Sequence, residues 1–359
     1  MVMFNLACVP PEIWEEIFRL ACTDGGYTGR TLALTSTSFR AYSLRVRFRT
    51  LAFTSLLHLP QFLDLLSRHG PARIEHLYLL FNNDPASGSY TGTPCNRVGY
   101  DAWRKTLSTR VKAYSTVVSL LRAAAPTLQT LCVVSPCAGE YLLRPPPYTF
   151  PVLEELSWMG GHSRLLLDHS LALGDADWTS TAPRVVYPAL KRVHCVMDNP
   201  TYAGQAVTKL IALASASLTH LRVSGLDRRA SDVPDVLERV LEAHGRRDHG
   251  RAASGSSAAG GSPLRRIIVH SAAPPQDDAN EDINGVWAEL SKRITGVLGA
   301  GDGGGEGILG LSLERPYRRN PRWPERLRND WIARIEGRKA CWVESEEDET
   351  ALETCDNDS

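Results

Sequence analysis

The chain has 359 residues, 43% hydrophobic and 22% charged, the proportions of an ordinary globular protein with room for a substantial core. Lys plus Arg and Asp plus Glu both total 40, so no net charge draws the chain onto nucleic acid or an anionic membrane. No stretch is long and apolar enough to suggest a membrane span.

Met1 and the apolar residues up to Val9 are too few, and lack the basic residues, for a secretory signal. The expected compartment is therefore the cytoplasm or the nucleus. The cysteines, at Cys8, Cys22, Cys95, Cys132, Cys137, Cys195, Cys341 and Cys355, form no Cys-x-x-Cys pair and have no histidines at finger spacing. They read as free thiols of a reducing compartment, and neither a metal nor any other cofactor is expected.

The first predicted element is a helix beginning at Pro10-Pro11-Glu12. Proline is tolerated in a first turn, and Glu12, Glu15 and Glu16 suit the positive end of the helix dipole. Ile13, Ile17 and Leu20 fall at i, i+4 and i+7 and make one apolar stripe. Asp24-Gly25-Gly26 breaks the chain, and a second helical stretch starts near Thr31 with Leu32, Leu34, Phe39 and Tyr42. Arg45, Arg47 and Arg49 then alternate with Val46 and Phe48 ahead of Leu51-Ala52-Phe53. Helices this short bury little surface alone. They either pack on the rest of the chain as a cap or leave an apolar face for a partner.

Past residue 70 the phrase Leu-x-x-Leu-x-Leu recurs with conservative replacements: Ile74-Glu-His-Leu77-Tyr-Leu79, Leu128-Gln-Thr-Leu131-Cys-Val133, Leu153-Glu-Glu-Leu156-Ser-Trp158 and Leu190-Lys-Arg-Val193-His-Cys195. Leu218-Thr-His-Leu221-Arg-Val223, Leu264-Arg-Arg-Ile267-Ile-Val269 and the weaker Ile308-Leu-Gly-Leu311-Ser-Leu313 complete the series. Each predicts a short strand with alternate residues on one buried face. Helical patterns lie between them at 103–125, 207–215, 233–244 and 283–298. Their spacing is uneven, and seven unrelated buried strands of an α/β domain are the other reading of the same pattern.

The intervening segments 82–100 and 245–262 are rich in Gly, Ser, Pro, Asn, Ala and Arg and read as loops, the latter as disordered. Arg144-Pro145-Pro146-Pro147-Tyr148 reads as stiff and extended. The stretch 315–343 is Arg-rich with interleaved aromatics, a pattern that can grip single strands. Its acidic residues and the apolar Trp331, Ile332 and Ile335 favour a closing helix, so nucleic acid is an unlikely partner. The acidic tail 344–359 reads as disordered.

No catalytic residue is predicted. Gly299-Ala300-Gly301-Asp302-Gly303-Gly304 follows a helix and precedes a strand, the reverse of a dinucleotide site, and reads as a linker. His162, Asp168 and His169 are the one notable His/Asp cluster, and an enzyme would need them to converge in a closed pocket.

Two resemblances organise these elements. Val9-Pro10-Pro11-Glu12-Ile13, Ile17-Phe18 and Leu32-Ala33-Leu34-Thr35-Ser36-Thr37-Ser38-Phe39-Arg40 resemble an F-box. With the Arg47-Phe48-Arg49-Thr50-Leu51 ending, they are similar to the divergent F-box-like proteins of mushroom-forming basidiomycete fungi. The recurring phrase resembles a degenerate leucine-rich repeat, in which strand and helix alternate around a horseshoe.

The resemblance implies an α/β chain: a short all-α F-box-like module at 1–55, then an irregular leucine-rich-repeat-like solenoid at 56–314. A helical cap at 315–343 and the tail at 344–359 follow. It further implies a non-enzymatic substrate-recognition adaptor of a Skp–cullin–F-box type ubiquitin ligase. Pro10, Ile13, Ile17, Leu20, Leu34 and Phe39 would contact the Skp-type adaptor, and through it a cullin, while the repeats hold a protein substrate. The alternative is a repeat scaffold for protein–protein interaction whose N-terminal helices are only a cap.

Overall fold

The computed structural model describes residues 9–70, 72–81, 115–134, 149–159, 187–197, 207–208, 217–226, 233–239, 264–271, 288–289, 292–293, 310–314, 323–338 and 341–342. The chain is a mixed α/β protein. Three N-terminal helices, α1 (Pro11–Ala21), α2 (Tyr27–Thr35) and α3 (Thr37–Ser43), lead into strand β1 (Thr50–Phe53) and helix α4 (Leu59–His69). Strands follow at β2 (His76–Leu80), β3 (Thr130–Val134), β4 (Glu155–Met159), β5 (Arg192–Val196), β6 (His220–Leu226), β7 (Arg266–Ser271) and β8 (Gly310–Glu314). Helical residues at 115–124 (α5) and 233–239 (α6) lie between strands, and α7 (Trp323–Ile335) follows β8.

Among the described residues all the strands join one eight-stranded sheet in the order β1 to β8, with every neighbouring pair parallel. Spatial order therefore repeats chain order. The recurring phrase sets the register. Its second apolar residue aligns as Leu77, Leu131, Leu156, Val193, Leu221, Ile267 and Leu311 across adjacent strands. Residues two further on, Leu79, Val133, Trp158, Cys195, Val223 and Val269, share that side and enter the same core. The first residue of the phrase, just before each strand, is also buried: Ile74, Leu128, Leu153, Leu190, Leu218 and Leu264. Residues of α5 (Val117, Leu120, Leu121, Ala124) and α6 (Val233, Val236, Leu237) close this core from outside the sheet.

The backbone repeats a hydrogen-bond pattern ahead of each strand. The Arg49 carbonyl accepts from the amides of Glu75 and His76, and the Glu75 carbonyl accepts from Gln129 and Thr130. Gln129, Glu154, Lys191 and Thr219 continue the series, each carbonyl accepting two successive amides of the next unit. One carbonyl with two lone pairs thus secures two donors at each strand start.

Two elements were not expected. β1 falls inside the segment assigned to the helical module, and its residues pair with β2 from Thr50↔His76 to Phe53↔Leu79. Helix α4 carries Pro60 at its start and packs Leu59, Phe62, Leu63 and Leu66 on the core. The closing helix α7 does form, and it lies across the sheet over β2, β3 and β4. There Leu327 and Trp331 bury against Tyr78, Cys132, Val134, Met159 and Val196. The predicted loops 82–100 and 245–262, Pro145-Pro146-Pro147, the tail 344–359 and Gly299 to Gly304 lie outside the described residues.

Candidate functional site

Helix α1 is built to show two different faces. Pro10 caps it, Glu12 sits in its first turn and Arg19 in its last, as the dipole favours. Trp14 and Phe18, four residues apart, turn inward onto Phe39 of α3, with ring centroids 4.9 Å (Trp14–Phe39) and 5.3 Å (Phe18–Phe39) apart. The stripe on another face stays open: Ile13, Ile17 and Leu20 are 51%, 45% and 64% exposed. Scattered exposed aliphatics need no explanation, but three in register along one helix face make a continuous apolar strip. Covering their exposed halves contributes about 1 kcal/mol each.

The neighbouring helices are held by local chemistry. The Asp24 carboxylate accepts from the Thr28 amide at 2.9 Å and its hydroxyl at 2.7 Å, which starts α2. Ser36 caps α3 by accepting from the Phe39 amide at 3.1 Å. Arg49 ties the helices to the sheet: its Nη1 donates to the Arg19 carbonyl at 3.0 Å and its Nε to Glu75 at 2.5 Å. Gly25, at φ +80°, lets Ala52 donate its amide to the Gly25 carbonyl; a Cβ at Gly25 would stand 2.7 Å from the Ala52 Cβ.

Of the residues assigned to adaptor contact, Pro10 is exposed at the α1 cap, and Ile13, Ile17 and Leu20 form the open stripe. Leu34 on α2 is exposed as well, at 71%. Phe39 differs. It is half-buried in the aromatic cluster with Trp14 and Phe18, where it holds α3 against α1. Exposed apolar residues that the sequence reading did not single out are Tyr27, Leu44, Leu57 and Val152.

The second concentration of chemistry lies under the C-terminal segment, on the sheet side that alternate residues of each strand share. Glu155 of β4 accepts from Arg192 of β5 at 2.8 Å, from Arg334 of α7 at 3.1 Å and from the Trp342 indole at 3.3 Å. Arg222 of β6 donates to the Cys341 carbonyl at 2.5 Å, and Arg266 of β7 donates to the Trp342 carbonyl at 3.2 Å. The Tyr78 hydroxyl donates to the Pro324 carbonyl at 3.0 Å. The Trp342 ring stands edge-on to His194 and His220. These residues occupy the variable positions of the phrase, so periodicity alone assigns them to an outer surface.

In this cluster Cys341 Sγ lies 3.8 Å from His194 Nδ1. Burial, followed by the charges of Asp330 and Glu155, pushes the Cys341 thiol well above its ordinary range. Burial and the Arg222 guanidinium push His194 well below its own. Cys132 and Cys195 are likewise buried, and burial raises both thiols. His162, Asp168 and His169 lie outside the described residues.

Fold and surface together define a mixed α/β protein with a sequentially ordered parallel sheet and an apolar strip on its first helix. No protein-family model, curated protein or solved structure matches the chain. No helix among the described residues is long and apolar enough to cross a membrane.

Proposed function

We propose that the chain is a substrate-recognition adaptor of a Skp–cullin–F-box type ubiquitin ligase, acting in the cytoplasm or nucleus. The N-terminal helices are its F-box-like module and the strand–helix array is a leucine-rich-repeat-like solenoid that presents a protein substrate. The observation that carries this reading is the open stripe of Ile13, Ile17 and Leu20 on α1, beside the F-box-like residues around it. Sequential strand order and the repeated carbonyl pattern support the solenoid reading, because stacked units meet only their neighbours. The protein performs no chemistry in this role. It raises the concentration of a substrate lysine near the ubiquitin-charged enzyme.

The rival is a repeat scaffold with the helices as a cap, and the Arg49 bonds to Glu75 and the Arg19 carbonyl favour it. A cap, however, gains nothing from exposed isoleucines. Calorimetric titration of the chain with the Skp-type adaptor separates the two. Ile17→Ala weakens binding by roughly 2–4 kcal/mol if Ile17 is a hot spot. Undiminished affinity of the folded Ile17→Ala chain defeats the docking assignment, and absence of binding by wild type leaves the scaffold reading.

A further inference from the structure

His194, Asp330 and Cys341 come from three separate places: β5, α7 and the turn after α7. Each offers one ligand atom, and the three atoms lie within 4.8 Å of one another. His194 Nε2 is 3.0 Å from the Ser224 hydroxyl, and its Nδ1 is 3.8 Å from Cys341 Sγ. The tautomer protonated at Nε2 donates to Ser224 and turns the Nδ1 lone pair toward sulfur. Metal-binding imidazoles are oriented this way, by an outer partner on the other nitrogen.

The spacing suits a tetrahedral ion. Bonds of about 2.3 Å to sulfur and about 2.0 Å to nitrogen imply an S···N separation of about 3.5 Å. The Cys341–His194 separation of 3.8 Å needs only a small contraction to reach it. Glu155 is already paired with Arg192 and Arg334, so the anions at the site itself are the Asp330 carboxylate and, once the thiol ionises, the Cys341 sulfur. Thiolate, imidazole and carboxylate are together the donor set of a borderline-soft divalent ion.

We propose that His194, Asp330 and Cys341 form a site for a divalent transition metal, zinc in the first place, that pins the C-terminal segment to the sheet. Three protein ligands leave a fourth position for water. The proton displaced from Cys341 goes to solvent, and no redox change accompanies binding. Metal binding at these residues does not depend on adaptor docking.

The test uses the full chain, reduced and stripped with chelator, then titrated with cobalt(II) and afterwards zinc(II). Expected are one equivalent of cobalt with a thiolate-to-cobalt charge-transfer band, loss of that band as zinc replaces cobalt, and a higher melting temperature with zinc. Cys341→Ser removes the band, and Asp330→Asn and His194→Gln each weaken zinc roughly tenfold or more. Asp330→Asn nearly preserves shape, so its far-ultraviolet circular dichroism separates lost affinity from lost fold. A full-strength band in Cys341→Ser overturns the proposal. So does a folded wild-type chain that takes up no stoichiometric cobalt, or zinc affinity unchanged in all three variants.

Discussion

Removing the Glu155 carboxylate should loosen the C-terminal segment from the sheet, and the geometry sets the size of the loss. The carboxylate is 8% exposed, and its guanidinium partners Arg192 and Arg334 are 26% and 23% exposed. In Glu155→Ala both guanidiniums lose a charge-assisted bond, which in a closed site costs about 1.5–3 kcal/mol each. Water reaches the exposed quarter of each and reduces that to about 1 kcal/mol. The Trp342 indole, bonded at 3.3 Å, adds about 1 kcal/mol as a stranded donor. The sum, about 3 kcal/mol, is at the lower end of the ~3–5 kcal/mol for breaking a buried pair from one side. Urea unfolding followed by tryptophan fluorescence measures it as a lower midpoint at unchanged slope. A double-mutant cycle with Arg334→Ala should give coupling of about 1 kcal/mol. A loss under about 0.5 kcal/mol with no coupling would refute the view that this carboxylate ties α7 to the sheet.

Two further outcomes follow from single residues. Burial, and then the charge of Arg49, lowers the His76 imidazole from 6.5 to about 4. The unfolded chain therefore binds its proton first as pH falls, and stability attributable to His76 declines by roughly 3 kcal/mol between pH 6.5 and pH 4. His76→Gln, which stays neutral, should flatten the acid limb of a stability–pH series; an unchanged slope contradicts the assignment. Gly29→Ala would place a Cβ 2.8 Å from the Arg47 carbonyl oxygen and 2.9 Å from its Cα, both backbone atoms that cannot swing away. It should cost about 1–3 kcal/mol by the same unfolding assay, and a neutral result would mean that α2 shifts freely.

Much of the sheet was legible because burial on one side writes itself into every unit. Each Leu-x-x-Leu-x-Leu phrase marks a strand that begins two residues after its first apolar position, as Ile74 precedes His76 and Leu128 precedes Thr130. The α1 stripe was legible for the same reason, with Ile13, Ile17 and Leu20 at helical spacing. β1 was not, since Thr50–Phe53 is four residues with no room to show alternation and lies inside the segment assigned to the helical module. Nor was the role of Phe39, because aromatic packing onto Trp14 and Phe18 is a tertiary contact between helices.

The variable positions Glu155, His194 and Arg222 look like solvent-facing polar residues in their own strands. What buries them is a segment far along the chain, and no local pattern announces that contact. Trp331, Ile332 and Ile335 did mark an apolar side of α7, but not the surface it covers. His194, Asp330 and Cys341 are likewise far apart along the chain, so no ligand spacing in the sequence marks them.

Co-expression with the Skp-type adaptor of the same organism, followed by size-exclusion chromatography, tests the docking role most directly. The expected result is stable co-elution that disappears when Ile13 and Ile17 are both changed to Ala, while the melting temperature stays near that of wild type. A well-folded wild-type chain that elutes without the adaptor would contradict the docking role and leave the N-terminal helices as a cap on the sheet.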